Sequence, residues 1–226
     1  MILVLLPGLD GTGKLFEPFV DTLSSTYTTQ IVSYPEKINY DYNDYIEFVK
    51  SQLPTEEEYV IIAESFSGYI AYNIGLEKPK YLKKIVFVAT FLENPRPSVS
   101  RLLPIVPLKF LLSLPIPKFV VNVLLGKHSD DTLKSLLKRT IADIDSNILY
   151  SRLMEIMSLQ TASKKMEIDS IYLRATKDYL VSAKSYDTLK KNVKDIDLYR
   201  VEGTHLLLQS NPSECAKIIE NSLVSN

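Results

Sequence analysis

Tryptophan is missing from this 226-residue chain, cysteine occurs once and histidine twice. The single cysteine, Cys215, rules out an intrachain disulfide, so a reducing compartment and a cytoplasmic location are expected. Net charge is also scarce: 26 basic against 27 acidic residues leave −1, which creates no field to gather nucleic acid or an anionic membrane. The start of the chain lacks the basic segment and small-residue cleavage site of a signal peptide. Long apolar runs are lacking too. Residues 102 to 125 are strongly apolar, yet Pro104, Pro107, Lys109, Pro115, Pro117 and Lys118 interrupt them. A spanning helix needs ~20 predominantly apolar residues, so no transmembrane segment is expected. Repeats, low-complexity tracts and long charge runs are absent as well.

What is present suits one domain with an insertion. Six short apolar runs read as strands: Ile2–Leu6, Gln30–Tyr34, Tyr59–Ala63, Lys84–Thr90, Ile171–Ala175 and Ile196–Val201. They are continuous rather than alternating, as strands of a parallel sheet covered on both faces must be. Helical spacing appears between most of them. Tyr45, Phe48, Val49 and Leu53 precede Pro54, and Tyr69, Ile70 and Ile74 precede Pro79. The last helix has Asn211 as N-cap, Pro212 at its first position and Glu214 placed as in a capping box. The alternation predicts a doubly wound α/β fold with a mostly parallel, six-stranded sheet.

Residues 93 to 166 are too many for a single crossover. They hold the proline-broken run and two amphipathic patterns, Leu133, Leu136, Leu137 and Ile141 on one, Leu149, Leu153, Ile156 and Met157 on the other. The expected organisation is therefore a core of residues 1–92 and 167–226 with a helical cap inserted at 93–166.

The stretch Ile61-Ile62-Ala63-Glu64-Ser65-Phe66-Ser67-Gly68 runs from apolar strand through serine towards helix, the context of a nucleophile elbow. In such a turn the residues two before and two after the nucleophile must be small. Around Ser65 these are Ala63 and Ser67; around Ser67 they would be Ser65 and Tyr69, and tyrosine does not fit. Ser65 is the candidate nucleophile and Ser67 a space-maker. A serine needs a base at neutral pH. His205 follows the last strand, where loops at the carboxyl ends of a parallel sheet converge, whereas His128 lies in the insertion. Asp178, just past the preceding strand, is the candidate carboxylate, with Glu93 as second choice. The order Ser65, Asp178, His205 is that of an α/β-hydrolase triad.

The first loop, Pro7-Gly8-Leu9-Asp10-Gly11-Thr12-Gly13-Lys14, has the glycine and lysine spacing of a phosphate-binding loop, but Leu15 stands where Ser or Thr would bind Mg²⁺. Its alternative use is to present backbone N–H groups to a developing oxyanion. The expected donors are the amides of Leu9 and Phe66.

Pro-Gly-Leu-Asp-Gly-Thr-Gly, Ala-Glu-Ser-Phe-Ser-Gly, the late Asp178 and Gly203-Thr204-His205 together resemble the small α/β-hydrolases of bacteria. The first loop also resembles that of plant plastid acyltransferases of the same superfamily. The resemblance implies a serine hydrolase of esters or thioesters that uses Ser65, His205 and Asp178 and needs neither metal nor organic cofactor. Acyl transfer to an alcohol is a close neighbour, and carbon–carbon bond cleavage also occurs in the superfamily. Two departures stand out. Pro7-Gly8 replaces the His-Gly of many members, with no HGGG motif, and the chain begins at what would be the superfamily's third strand. The cap's Leu102, Leu103, Ile105, Val106, Phe110, Leu111 and Leu112 are candidates for an apolar acyl pocket, or else simply for a layer buried on the core. A small acyl substrate is the expected partner, and an apolar cap serves as readily for a dimer surface. A binder of apolar ligands on the same fold, without turnover, is the rival from another class.

Overall fold

The computed structural model describes residues 1–100, 108–126, 129–160 and 162–224. Its sheet has six strands: β1 (Ile2–Leu6), β2 (Thr28–Ile31), β3 (Tyr59–Glu64), β4 (Leu82–Val88), β5 (Ser170–Ala175) and β6 (Ile196–Val201). Their order is β2-β1-β3-β4-β5-β6, and every neighbouring pair is parallel. The helices of the described residues are α1 (Glu17–Val20), α2 (Tyr42–Gln52), α3 (Ser67–Leu76), α4 (Pro97–Ser100), α5 (Leu108–Leu112), α6 (Lys118–Leu125), α7 (Asp131–Ala142), α8 (Ser146–Ser158), α9 (Lys184–Asn192), α10 (Leu207–Ser210) and α11 (Pro212–Val224). Helices α4 to α8 all lie between β4 and β5. None is long and apolar enough to cross a membrane.

Alternation within the strands makes two cores. Val4, Leu6, Ile61, Ala63, Ile85 and Phe87 face one side, against Tyr45 and Val49 of α2 and Ile70 and Ile74 of α3. Leu3, Leu5, Val60, Ile62, Val86 and Val88 face the other, against Phe19 of α1 and Cys215 and Ile219 of α11. With both faces covered, the central strands read as continuous apolar runs. The two edge strands depart from that expectation. β2 has no buried residue, and in β6 only Val201 is buried. The second strand also begins earlier than the sequence suggests and is over by Ile31. Val32 N–H still reaches Leu5 O at 3.1 Å, but the Tyr34 N–H turns to Gly11 O at 2.7 Å, leaving the ladder to brace the first loop.

The chain leaves β1 to one side for β2 and to the other for β3, so the topological switch lies between β1 and β3, where a crevice opens at the carboxyl ends. The first loop and Ser65 therefore meet there. α11 starts at Pro212 as expected, but Asn211 acts differently from a capping box: its side-chain amide donates to Glu202 O at 3.1 Å and to Glu214 Oε2 at 2.5 Å.

α3 approaches the sheet closely at two glycines. A Cβ on Gly68 would lie 1.9 Å from Thr90 Oγ1 and 2.7 Å from Thr90 Cβ, on a stiff β-branched side chain. A Cβ on Gly75 would meet Met166 Sδ at 2.3 Å and Ile85 Cδ1 at 2.8 Å, the ends of flexible side chains. In chemical denaturation, Gly68→Ala is expected to cost about 1–3 kcal/mol through overpacking. Gly75→Ala should cost less, because Met166 can move and alanine favours helix.

Candidate active site

Ser65 opens the two-residue turn, Ser65-Phe66, between β3 and α3 with φ +49°, a left-handed conformation costly for a residue with a Cβ. Backbone pairing holds it there. Ser65 N–H donates to Val88 O at 2.9 Å, Gly68 N–H donates to Ser65 O at 3.2 Å, and Thr90 Oγ1 donates to the same carbonyl. Ser67 is fully buried, donates to Pro7 O and shares a hydrogen bond with the Tyr34 hydroxyl. The residue read as a space-maker thus also fastens the elbow to the first loop.

Asp178 and His205 follow β5 and β6, and the parallel ladder continues past the strands to align their loops. Thr176 N–H donates to Val201 O and Lys177 N–H to Gly203 O, each at 3.0 Å. Asp178 Oδ1 accepts from the Leu180 and Val181 N–H groups at 2.8 and 2.9 Å. Its Oδ2 lies 2.9 Å from His205 Nδ1, and His205 Nε2 lies 2.8 Å from Ser65 Oγ. With Nδ1–H donating to Asp178, Nε2 is left to accept the serine proton. Burial alone would raise the Asp178 pKa, but the hydrogen bond and charge interaction with His205 and the two backbone N–H groups outweigh it, holding the carboxyl below its ordinary value.

The structure therefore brings Ser65, Asp178 and His205 together. Glu93, the second-choice acid, instead accepts from Thr188 Oγ1 at 2.7 Å. His128 lies outside the described residues. Cys215 is fully buried, and burial pushes its thiol up to about 12, so it is no rival nucleophile. Phe66, one of the two expected amide donors, is the residue at the start of α3. Leu9 lines the same cavity as Ser65 and His205. A Cβ on Gly8 would come 3.6 Å from Ser65 Cβ, which measures how near the first loop passes.

That cavity has a volume of about 370 Å³. Its apolar wall comes from Leu137 and Ile141 of α7, Leu153, Ile156 and Met157 of α8, and Leu206 beside His205. Leu102, Leu103, Ile105 and Val106, expected as pocket residues, lie outside the described residues. Phe110 and Leu111 are 62% and 48% exposed and do not line the cavity. α5 presents them to solvent, while the longer α7 and α8 supply the wall. The amphipathic faces of α7 and α8 were legible in sequence; that part of each points at Ser65 was not.

Two buried groups, one next to the serine and one against the first loop, went unnoticed in sequence. Glu64, immediately before Ser65, accepts from Gln209 Nε2 at 3.1 Å, while Glu64 Oε1 and Gln209 Oε1 have no partner among the described residues. A proton on Glu64 would turn its orphaned oxygen from an acceptor into a donor. Burial raises the Glu64 pKa to about 7 against the opposing effects of Gln209 and His205. The other group is Arg152 of α8, fully surrounded by protein.

No protein-family model matches the chain, and no curated protein does. Solved structures do match. A lipase-esterase related protein from Clostridium acetobutylicum superposes with a TM-score of 0.80 at 18% identity, covering 97% of this chain and 93% of its own. The enol-lactonase from Burkholderia xenovorans gives 0.79 at 11% identity, covering 99% and 91%. An esterase from Exiguobacterium antarcticum gives 0.76 at 13%, covering 100% and 92%. At such identities the likeness establishes the fold, which is that of the α/β-hydrolases.

Glu64 generates a pH prediction. In the unfolded chain it releases its proton near 4.5 and in the folded chain near 7. The folded state thus holds an extra proton across that window, and its stability falls as pH rises through it, by about 3 kcal/mol. Asp178 acts oppositely and lower: its contribution is present above its ordinary value of 3.8 and is lost on acidification. Thermal midpoints are expected to decline from about pH 5 to about pH 8. In Glu64→Gln, where an amide pair replaces the acid–amide pair, that decline should be largely absent; an unchanged slope would refute the assignment.

Proposed function

We propose that the chain is a serine hydrolase that cleaves a carboxylic ester or thioester of an apolar acyl group through an acyl-enzyme on Ser65. The observation that carries this reading is the unbroken hydrogen-bonded line from Ser65 through His205 to Asp178, opening on an apolar cavity. Ser65 Oγ attacks the acyl carbonyl while His205 Nε2 takes its proton, and Asp178 keeps the imidazole oriented and stabilises its charged form. The oxyanion is stabilised by the amides of Leu9 and Phe66. His205 then protonates the leaving alcohol or thiol. Water activated by the same histidine releases the acid and restores Ser65.

The cavity wall supports an apolar acyl group, because about 370 Å³ of space carries few polar side chains to fix a polar one. The helical stretch 93–166 is read as a cap that closes this side. The solved esterases and the lactonase on the same fold act on carboxylic acid derivatives, which agrees with acyl chemistry here.

A fluorophosphonate probe is expected to label wild type and not Ser65→Ala; equal labelling of both would identify another nucleophile. With p-nitrophenyl esters of graded chain length, Asp178→Asn should lower kcat by about 10⁴. If released acid is replaced by a new ester when an alcohol is added, acyl transfer is the better description. Saturable ligand binding with no turnover above the Ser65→Ala background would favour a binder.

A further inference from the structure

Arg152 is the largest fully buried side chain of the described residues, 1% exposed, and it has no carboxylate within ion-pair reach among them. Its hydrogen bonds all go to neutral oxygens. Nη1 donates to Leu9 O at 3.1 Å and Asp10 O at 2.6 Å, Nε to Tyr45 OH at 3.1 Å, and Nη2 to Pro35 O at 3.5 Å. The guanidinium also stands 5.8 Å and 5.7 Å from the ring centroids of Tyr34 and Tyr45. An unpaired buried cation is costly unless its hydrogen bonds compensate the lost hydration. Neutral donors would suffice merely to staple a helix to a loop.

The place of these bonds indicates what the charge does. Gly8 to Gly11 form a turn closed by the Gly11 N–H to Gly8 O bond at 3.1 Å, with Leu9 and Asp10 at its centre. Because each peptide is planar, a held carbonyl also aims the N–H at its other end. Gly8 O, held by Gly11, sets the direction of the Leu9 N–H. Leu9 O and Asp10 O, held by Arg152, keep the next two peptides from rotating and carry its positive charge up to the turn. The first loop has left room for this. Gly11 has φ +68°, and a Cβ there would lie 2.3 Å from Arg152 Nη1. Arg152 itself comes from α8, whose Leu153, Ile156 and Met157 line the cavity, so one helix both shapes the acyl wall and holds the loop.

We propose that Arg152 is a positioning residue, a cationic clamp from α8 that fixes the Leu9–Asp10 turn and biases it towards the negative charge formed on the substrate oxygen. This rests on the reading of Ser65 as nucleophile and Leu9 as oxyanion donor. It differs from a structural staple in one respect: its loss should slow the steps that form an oxyanion more than it weakens substrate binding.

Arg152→Met, Arg152→Lys and Arg152→Ala are compared with wild type for kcat and KM on p-nitrophenyl butyrate, rate of fluorophosphonate labelling, and thermal midpoint. Arg152→Met is expected to lose about 10- to 100-fold in both kcat and labelling rate, somewhat less than removal of a direct oxyanion donor. KM should stay within about twofold. Arg152→Lys, which keeps the charge but fewer donors, should fall between. Guanidinium ion at millimolar concentration should restore part of the rate of Arg152→Ala, and equimolar urea, planar but neutral, should not. Folded Arg152→Met with wild-type kcat and labelling would overturn the proposal, as would a loss confined to KM or equal rescue by urea. If Arg152→Met does not fold, Arg152→Gln, neutral but still able to donate hydrogen bonds, decides, and wild-type rates in that variant refute the clamp. Wild type that is not labelled at Ser65 would instead refute the nucleophile on which the proposal rests.

Discussion

The left-handed turn at Ser65 is the constraint on which the rest of this site depends. A serine at φ +49° persists only where its surroundings leave no cheaper alternative. Here they come from three directions. β4 takes the Ser65 N–H through Val88, the hydroxyl of Thr90 holds the Ser65 carbonyl, and Gly68 lets α3 descend onto Thr90. Tyr172 of β5 in turn donates to Thr90 O at 3.0 Å. The strain at one residue is thus supported by a packed strand–helix junction, and this junction projects Ser65 Oγ to the rim where His205 waits.

The polar groups around the serine divide into charges that are paired and groups kept neutral. Asp178 is held as a carboxylate by three hydrogen bonds converging on two oxygens, two of them from backbone N–H groups that cannot move without unmaking the loop. Glu64 is closer along the chain to the serine yet faces Gln209 in a setting that favours its protonated form. Two acids in one site are thereby pushed in opposite directions, a separation made by burial and hydrogen bonding rather than by residue type. Arg152 stands outside this division, a cation without a carboxylate partner among the described residues, surrounded by carbonyl and phenol oxygens and by aromatic faces.

How far the sequence reveals these features depends on whether the cause is local. The four central strands were legible because parallel strands between two helical layers are apolar throughout, and they matched to within about two residues. β2 was misplaced because it is an edge strand with no buried residue, while the apolar Tyr34 just beyond it braces the first loop instead. The elbow was legible because small residues flank Ser65. Asp178 and His205 were found by their position after strands, a topological rule that needs no distances. Arg152 carried no local mark, since nothing in Tyr150-Ser151-Arg152-Leu153 separates a surface arginine from one enclosed by three other segments. Phe110 and Leu111 showed the converse error, apolar in sequence yet exposed in the fold.

The sequence alone determined the alternation of strand and helix, the turn that requires small neighbours, and the placing of Asp178 and His205 just after strands, because each follows from short-range sterics or hydrophobic periodicity. Only tertiary structure decided which helices wall the cavity, which buried carboxyl keeps its proton, and which arginine reaches the first loop. Those outcomes depend on distances between residues far apart in the chain and on the dielectric their packing creates, and neither quantity is defined until the chain has closed on itself.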